Sequence, residues 1–452
     1  MLPDDVLLSI FDFCASEHET RLKLVWETLV HVCRRWRSLV FGSPRSLDLQ
    51  LICTERTPAR NMLDVWPPLP LYILSIRPYA NLDNIIALFE HKNRVCRIEI
   101  YGLSNLEMEK VLAVMQEPFP ELTRLALDAI EITTAVLPDS FLGGSALRLR
   151  ELHLFGIPLP RLPKLLLSAT HLICLNLSHI PHSGYFSPEA MAIALSTLTS
   201  LKDLHLKFIS PLSLPDRASR RLPPPTPIVV PVLTTFVFRG VGEYLDDLLV
   251  RIDAPLLNTF AITFFNQILF DTPRSVQFIS RTPALKASEK AHVVFCYGRA
   301  WVQLLSQASG YGVFSVGILC QNPDWQVSAL EQVCTSCLPP LSTLEDLYIY
   351  ESSYLHPKWQ DNIENSLWLE LFQPFTAVKN LYLSKEFVPR IMLSLQELVG
   401  ERMAEVLPTL QNIFLEGLDT SGPVQKASQE FVAARQVSQL IAVSHWDGRE
   451  IF

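Results

Sequence analysis

The sequence predicts an α/β protein in which a small N-terminal helical module precedes a solenoid with parallel strands inside and helices outside. Three observations predict this fold class. Leucine accounts for 74 of the 452 residues, and after residue 70 it recurs within one short phrase. Stretches with helical spacing separate the copies of this phrase, and residues 1–50 contain no copy. Self-similarity at a period of 20–50 residues is typical of solenoids.

The phrase consists of an apolar residue, two variable residues, an apolar residue, one variable residue and a third apolar residue. Its last two apolar positions are two residues apart, so they face the same side of a short strand. One strand cannot bury that side alone, and the repeats must therefore stack. Successive copies begin 23 to 34 residues apart, with a degenerate copy near Leu285. They begin at Leu71, Val95, Leu122, Leu149, Leu172, Leu201, Leu233, Leu257, Val313, Leu344, Val378 and Leu410.

Stretches with helical spacing alternate with the phrases. They cover residues 105–116, 187–198, 244–251, 274–280, 301–309 and 327–334. This alternation is typical of leucine-rich repeats with a parallel sheet inside and helices outside. The alternative is a generic α/β protein whose strands are rich in leucine.

Isoleucine occupies the position where a typical leucine-rich repeat carries a hydrogen-bonding Asn or Cys. We expect these isoleucines to be buried and the repeats to be irregular. They are Ile130, Ile157, Ile180 and Ile209.

Composition excludes several classes of protein. Hydrophobic residues make up 49% of the chain, which is too many for a disordered protein. No apolar run approaches the roughly 18 residues that span a bilayer, and no secretory signal is visible, so we expect no membrane association. A net charge of −8 argues against binding of nucleic acid. Nine cysteines without a signal peptide are typical of free thiols in a cytoplasmic or nuclear compartment.

The chain offers no catalytic constellation or cofactor motif, and we expect neither an enzyme nor a bound cofactor or metal. Cys334 and Cys337 form a lone CxxC pair. A zinc site needs four ligands, and no second pair stands at a suitable spacing. We therefore expect an inert pair at the end of a helix.

The first 50 residues contain two apolar stripes. Pro3 suits the first turn of a helix, and Asp4 and Asp5 suit its positive end. The sequence Leu-Pro-Asp-Asp-Val-Leu-Leu-Ser-Ile-Phe covers residues 2–11. The sequence Val-Cys-Arg-Arg-Trp-Arg-Ser-Leu covers residues 32–39.

These two stretches, in this order, resemble the F-box. The resemblance covers roughly the first 45 residues and implies docking to a Skp-type adaptor and cullin of an SCF-type ubiquitin ligase. It implies an apolar dock formed by Leu2, Pro3, Leu7, Ile10, Phe11, Val32, Cys33 and Trp36. Leu7 and Val32 are equally compatible with the module's own small core.

An F-box followed by leucine-rich repeats is a domain order known in that family. The implied function is a non-catalytic substrate receptor whose repeats bind a protein substrate. The alternative is a protein-interaction scaffold of leucine-rich repeats that has no ligase. We predict a helical module, a proline-punctuated linker, the repeats with a proline-rich exposed loop inside them, and a C-terminal capping helix (425–443) with its tail. Their bounds are 1–50, 51–70, 71–420, 211–231 and 421–452.

The variable residues of the phrase face away from the apolar side of each strand. Tyr and Arg among them are typical of protein-binding hot spots, although solvated strand faces also carry such residues. The densest cluster falls on the late repeats, at Asp346, Tyr348, Tyr350 and Tyr382. The predicted substrate-binding residues are Tyr101, Arg124, His153, His205, Asp346, Tyr348, Tyr350 and Tyr382.

Overall fold

The computed structural model divides the chain into two compact units, Met1–His179 (unit 1) and Ile180–Phe452 (unit 2). Each unit is described by itself. The residues that the structure describes are 2–16, 25–43, 50–59, 63, 68–76, 82–160, 162–209, 226–265, 273–285, 289–305, 313–336, 338, 341, 343–352, 364–398, 405–417, 423–435 and 441–447.

Three helices form the N-terminal module of unit 1. They are α1 (Asp4–Ser16), α2 (Val25–Val32) and α3 (Arg34–Gly42). The main chain begins α1 directly after Pro3, as the sequence predicts. Four of the module's described apolar side chains form its core, because each is at most 6% exposed: Leu7, Phe11, Val30 and Val40.

The rest of unit 1 is a parallel sheet whose strands follow chain order. Its strands are β1 (Leu51–Cys53), β2 (Leu71–Ser75), β3 (Val95–Leu103), β4 (Arg124–Ala129), β5 (Glu151–Phe155) and β6 (Cys174–Ile180), the last of which crosses into unit 2 at its final residue. Helices Leu82–Phe89, Asn105–Val114 and Leu162–Leu166 lie between them. The predicted linker 51–70 therefore begins with a strand, since β1 pairs with β2.

Unit 2 continues the same pattern of strand and helix. Its main sheet contains β7 (Asp203–Phe208), β9 (Thr235–Gly240), β11 (Thr259–Phe265), β12 (Lys290–Cys296), β13 (Arg299–Leu305), β14 (Val313–Leu319), β15 (Asp346–Glu351), β16 (Asn380–Leu383), β17 (Asn412–Glu416) and β18 (Ala442–Trp446). A separate parallel pair consists of β8 (Ile228–Val229) and β10 (Ile252–Asp253). The helices of unit 2 are Pro188–Leu195, Gly242–Leu249, Pro273–Arg281, Pro323–Ser336, Asn365–Phe372, Val388–Gln396 and Pro423–Arg435.

The predicted helix over residues 301–309 is wrong, because β13 occupies residues 299–305. Along the sheet the order is β11, β14, β13, β12 and β15, and β13 pairs antiparallel with both β12 and β14. Ala300, Val302 and Leu304 are buried at alternate positions, which is the period of a strand. Gly298, with a φ of 80°, closes the two-residue turn into β13.

The predicted C-terminal helix over 425–443 is wrong at its last two residues. The structure describes a helix over residues 423–435, and residues 442–446 form β18, which pairs in parallel with β17. The last element of the described chain is thus an edge strand. Most of the predicted proline-rich loop, residues 211–225, and Cys337 of the CxxC pair lie outside the described residues.

The repeat phrase is confirmed as the source of the core. Its strand residues, such as Leu125, Leu152 and Leu204, are completely buried. Ile157 and Ile180 are buried as expected, whereas Ile130 is 51% exposed, so its prediction is wrong. Both units therefore have the strand–helix architecture of leucine-rich repeats. Of the helices in the described part of the chain, none is long and apolar enough to cross a membrane.

Candidate functional site

The predicted adaptor dock separates into buried and exposed residues. Leu7 and Phe11 belong to the module's core, and Trp36 packs against Phe11 with ring centroids 4.7 Å apart. These three side chains hold the helices together. The remaining predicted dock residues are exposed, namely Leu2, Pro3, Ile10, Val32 and Cys33.

Two exposed apolar residues belong with this surface, although the prediction omits them. Val6 is 39% exposed and Phe13 is 65% exposed. Val6, Ile10 and Phe13 follow one another at intervals of three or four residues, so they share one face of α1, and Leu2 lies four residues before Val6, just ahead of the helix. Their helical spacing in the sequence is the signal that could have added Val6 and Phe13 to the predicted dock. We call these four residues the α1 stripe.

Arg35 fixes the start of the stripe. Its Nη2 donates to the backbone oxygen of Leu2 at 2.6 Å, and its guanidinium forms an ion pair with Asp4. This contact ties the start of α1 to α3. Leu2 and Pro3 are positioned by this contact while their side chains stay exposed.

A polar network lies on the variable face of β2–β5 in unit 1. Glu99 is its centre and is only 6% exposed. Its carboxylate accepts from Arg124 Nε at 2.6 Å, from Tyr101 Oη at 2.9 Å and from Arg97 Nη2 at 3.1 Å. Arg124 also forms an ion pair with Glu151. The Glu99 carboxylate therefore links β3 to β4, and the Arg124 guanidinium links β4 to β5.

These contacts determine the charge states of the network. Burial works against ionisation of Glu99, but the hydrogen bond from Tyr101 and the charges of Arg124 and Arg97 outweigh it, so the pKa of Glu99 lies below its usual range. Burial, helped by the hydrogen bond to Glu99 and by the charge of that carboxylate, raises the pKa of Tyr101 to about 12. Burial and then the charge of Arg124 lower the pKa of His153. The network therefore holds fixed charges at neutral pH.

The structure brings three predicted substrate-binding residues together in unit 1. Tyr101, Arg124 and His153 lie around one pocket of about 210 Å³. Asp128 and Phe155 also face it, and burial raises the pKa of Asp128. The pocket offers a cation, hydrogen-bonding groups and an aromatic ring, which suits a polar side chain of a bound protein.

An aromatic stack lies on the variable face of the late strands in unit 2. Tyr348 and Tyr382 stack with centroids 4.2 Å apart, and Tyr382 and Phe414 stack at 4.4 Å. His292 of β12 continues the stack beyond Tyr348 at 4.6 Å. Trp446 of β18 meets the edge of Tyr382 at 5.6 Å. We call these five residues the aromatic stack.

An amide ladder runs beside the aromatic stack. Asn380 donates to Asp346 at 2.7 Å, and Asn412 donates to Asn380 at 2.7 Å. The register of β15, β16 and β17 places these side chains at equivalent positions of successive strands. Asp346 therefore takes part in a structural ladder as well as lying in the predicted cluster.

Burial differs among the predicted residues of this cluster. Tyr348 is 2% exposed, enclosed by Tyr382, His292 and Trp446, whereas Tyr350 and Tyr382 are partly exposed. A partner can therefore reach Tyr350 and Tyr382 more readily than Tyr348. Burial raises the pKa of Tyr350 to about 12. Burial, reinforced by Lys290 and opposed by Asp346, lowers the pKa of His292 to about 4, so this imidazole is neutral at pH 7.

The predicted residue His205 is not part of the aromatic stack. It lies on β7, partly buried, and on the same strand face as Lys207. The register across β7, β9, β11 and β14 places it level with Val237, Ala261 and Ser315.

Comparisons with known proteins give few parallels. No family model matches the chain, and no curated protein matches it either. Among solved structures, a leucine-rich repeat-containing protein from Legionella pneumophila, LegL7, is 13% identical over 80% of this chain and 97% of its own, with a TM-score of 0.31. The Rad7 and Elc1 complex of yeast gives 12% identity over 92% of this chain and 88% of that chain, with a TM-score of 0.27. At these values neither likeness bears on function.

Proposed function

We propose that the chain is a non-catalytic substrate-recognition subunit of an SCF-type ubiquitin ligase. In this proposal the N-terminal module docks a Skp-type adaptor, which connects it to a cullin, and the faces of the repeats bind a protein substrate. One observation carries the proposal, namely the α1 stripe. Large apolar side chains that are exposed side by side on a small module mark a surface that a partner covers.

The α1 stripe is distinct from the module's core. The core residues Leu7 and Phe11 lie on a face of α1 adjacent to that of Val6, Ile10 and Phe13, so the apolar surface of α1 is wider than the face it buries. A helix that is apolar beyond the face it buries has a second surface to cover. Val32, 57% exposed at the end of α2, is a further exposed apolar side chain of the module. The sequence resemblance to the F-box gives the same surface a defined partner.

The faces of the repeats support the second half of the proposal. The pocket beside Tyr101 and the partly exposed rings of Tyr350 and Tyr382 offer the aromatic and charged groups that dominate protein-binding hot spots. Neither surface depends on the N-terminal module for its contacts. They therefore also support the second candidate function, a scaffold that binds a protein without a ligase.

Co-purification with a Skp-type adaptor tests the first function. The double variant Ile10→Asp with Phe13→Asp places carboxylates on the α1 stripe and leaves the core residues in place. We expect wild type to recover the adaptor and cullin, and the variant to lose at least about tenfold in adaptor affinity, as burial of two unpaired charges requires. These substitutions are preferable to Trp36→Ala, which would remove a ring that packs on Phe11.

Ser9→Asp is the matched control, since it adds the same carboxylate to the same helix at an exposed polar position. It should bind the adaptor as wild type does. Recovery of neither adaptor nor cullin by wild type would reject the ligase and leave the scaffold. Equal losses with Ser9→Asp and the stripe variant would show that charge on α1, rather than the stripe, controls binding.

A further inference from the structure

A second pocket lies on the variable face of unit 2, between β7 and β13. Its volume is about 390 Å³. The strand register places five of its residues in one row across neighbouring strands: Lys207, Arg239, Thr263, Gly317 and Trp301. Arg299 and Ser315 also line it.

The charges around this pocket have one sign. Lys207, Arg239 and Arg299 line it, and no Asp or Glu is among the described residues that line it. In the described part of the chain, no carboxylate forms an ion pair with any of the three. The chain as a whole carries a net charge of −8, so three cations at one pocket stand out against its acidic background. Strand neighbours lie about 4.8 Å apart, which brings Lys207 and Arg239 close together without a counter-charge.

Arg239 and Lys207 are also partly withdrawn from water. The Nε atom of Arg239 is buried, and among the described residues it has no hydrogen-bond partner. Burial lowers the pKa of Arg239, and burial together with the charge of Arg239 lowers the pKa of Lys207. Two desolvated like charges destabilise a fold unless an anion joins them.

The remaining walls of the pocket suit a ligand larger than a bare ion. Thr263 and Ser315 bring hydroxyl groups to the lining. The guanidinium of Arg299 lies over the Trp301 ring, 4.5 Å from its centroid. Gly317 makes room for Trp301, because a Cβ at position 317 would lie 2.6 Å from Trp301 Cβ.

We propose that this pocket binds a phosphomonoester, with Lys207 and Arg239 as its charged partners. A phosphomonoester carries close to two negative charges at pH 7, so it neutralises both cations, whereas one carboxylate neutralises only one. Its three acceptor oxygens match the guanidinium, ammonium and hydroxyl donors. The group that carries the phosphate rests against Trp301. This assignment does not depend on adaptor binding by the N-terminal module.

Isothermal titration calorimetry with two probes tests the assignment. The probes are inorganic phosphate and an acetylated, amidated Gly-phosphoserine-Gly peptide, with the unphosphorylated peptide as blank. We expect saturable binding of at least one phosphorylated probe that weakens at high salt, and a loss of at least about tenfold in Arg239→Gln and in Lys207→Gln. The matched control is Lys379→Gln, which removes a cation of unit 2 that is paired with Glu345.

The two probes also separate the two sources of a phosphomonoester. Binding of the peptide about tenfold tighter than phosphate would assign the group to a phosphorylated side chain of a protein. Equal or weaker binding of the peptide would assign it to a small phosphorylated molecule. No saturable binding of either probe, unchanged affinity in Arg239→Gln, or an equal loss in Lys379→Gln would overturn the assignment.

Thermal unfolding gives a second readout that guards against misfolded variants. Without phosphate, Arg239→Gln should unfold no earlier than wild type, since it removes an uncompensated charge. Added phosphate should raise the unfolding temperature of wild type and leave that of Arg239→Gln unchanged. A rise of equal size in both proteins would contradict the pocket. Phosphate binding by a chain that captures no adaptor would reject the ligase proposal alone.

Discussion

The variable faces of units 1 and 2 fill equivalent positions of the repeat phrase with different chemistry. Between the last two apolar residues of the phrase, unit 1 carries Glu99 and His153, whereas unit 2 carries Tyr348, Tyr382 and Phe414. In unit 1 neighbouring strands are joined by the ion pairs of Arg124 with Glu99 and Glu151. In unit 2 they are joined by stacked rings.

The preceding variable position shows the same contrast. Unit 1 places Arg97, Arg124 and Glu151 there, so Arg124 lies beside a like charge on one side and forms an ion pair with Glu151 on the other. Unit 2 places Asp346, Asn380 and Asn412 there, so amides form a ladder that needs at most one charge. The apolar positions of the phrase thus specify the scaffold, and the variable positions choose how the exposed face is held together.

This difference predicts that removal of a ring from the aromatic stack destabilises the face of unit 2 and leaves the face of unit 1 unchanged. Tyr348→Ala deletes a buried ring that stacks on Tyr382 and His292. We expect a loss of about 3–5 kcal/mol in the local opening free energy of β15–β17, as for other buried aromatic residues. Hydrogen exchange measured by mass spectrometry, strand by strand, gives this quantity.

Tyr297→Ala is the control for that experiment, since Tyr297 is 54% exposed in the turn between β12 and β13. It should change protection little, and β3–β5 should keep their protection in both variants. If Tyr348→Ala left β15–β17 as protected as in wild type, ring stacking would not be what holds this face.

The two faces should also differ in how their stability changes as the pH falls. The pKa of His292 is about 4 in the folded protein, below the usual 6.5, because burial and Lys290 disfavour its protonated form. The unfolded chain therefore binds the proton first, and stability is lost as the pH falls from 6.5 towards 4. We expect a loss of about 2 kcal/mol at β12 and β15 by pH 5, measured by hydrogen exchange corrected for the intrinsic rate at each pH.

The Glu99 carboxylate at the centre of the unit 1 network should respond later. Because the pKa of Glu99 lies below its usual range, its stabilising contribution is present above that range and is lost only at lower pH. His292→Gln should remove the loss between pH 6.5 and 5, and His171→Gln, which replaces an exposed histidine, should keep it. A loss that persists in His292→Gln would assign the titration to other groups.

The sequence predicts the strands of the scaffold better than the arrangement of side chains on its surface, and the reason is physical. Burial of the phrase residues follows from local periodicity, so β4, β5, β16 and β17 are where the phrase predicts them. The β12–β13 hairpin carries no clear phrase, and its alternation over Ala300, Val302 and Leu304 is a strand signal that the helical interpretation missed.

The candidate sites depend on strand order, which the phrase does not contain. Tyr348 and Tyr382 were predicted as neighbours because they occupy successive repeats. His292 joins them only because β12 lies beside β15, and Trp446 only because the chain returns as β18. These two side chains bury Tyr348 and alter its role from contact residue to core residue.

Salt provides the finest distinction between the two faces. The Arg124–Glu151 pair is partly exposed, with side chains 29% and 37% accessible, so its coupling should be about 0.5 kcal/mol and should fall further as the Debye length shrinks. The stacked pair Tyr382–Phe414 should couple by about 1 kcal/mol, and no screening of charges acts on it.

Two double-mutant cycles in low and in 1 M salt measure these couplings. One combines Arg124→Gln with Glu151→Gln, and the other combines Tyr382→Leu with Phe414→Leu. The first coupling should approach zero in about 1 M salt, where the Debye length is about 3 Å, and the second should persist. Loss of both couplings would mean that salt acts on the sheet as a whole, and persistence of both would mean that the Arg124–Glu151 pair is shielded from solvent like its buried neighbour Glu99.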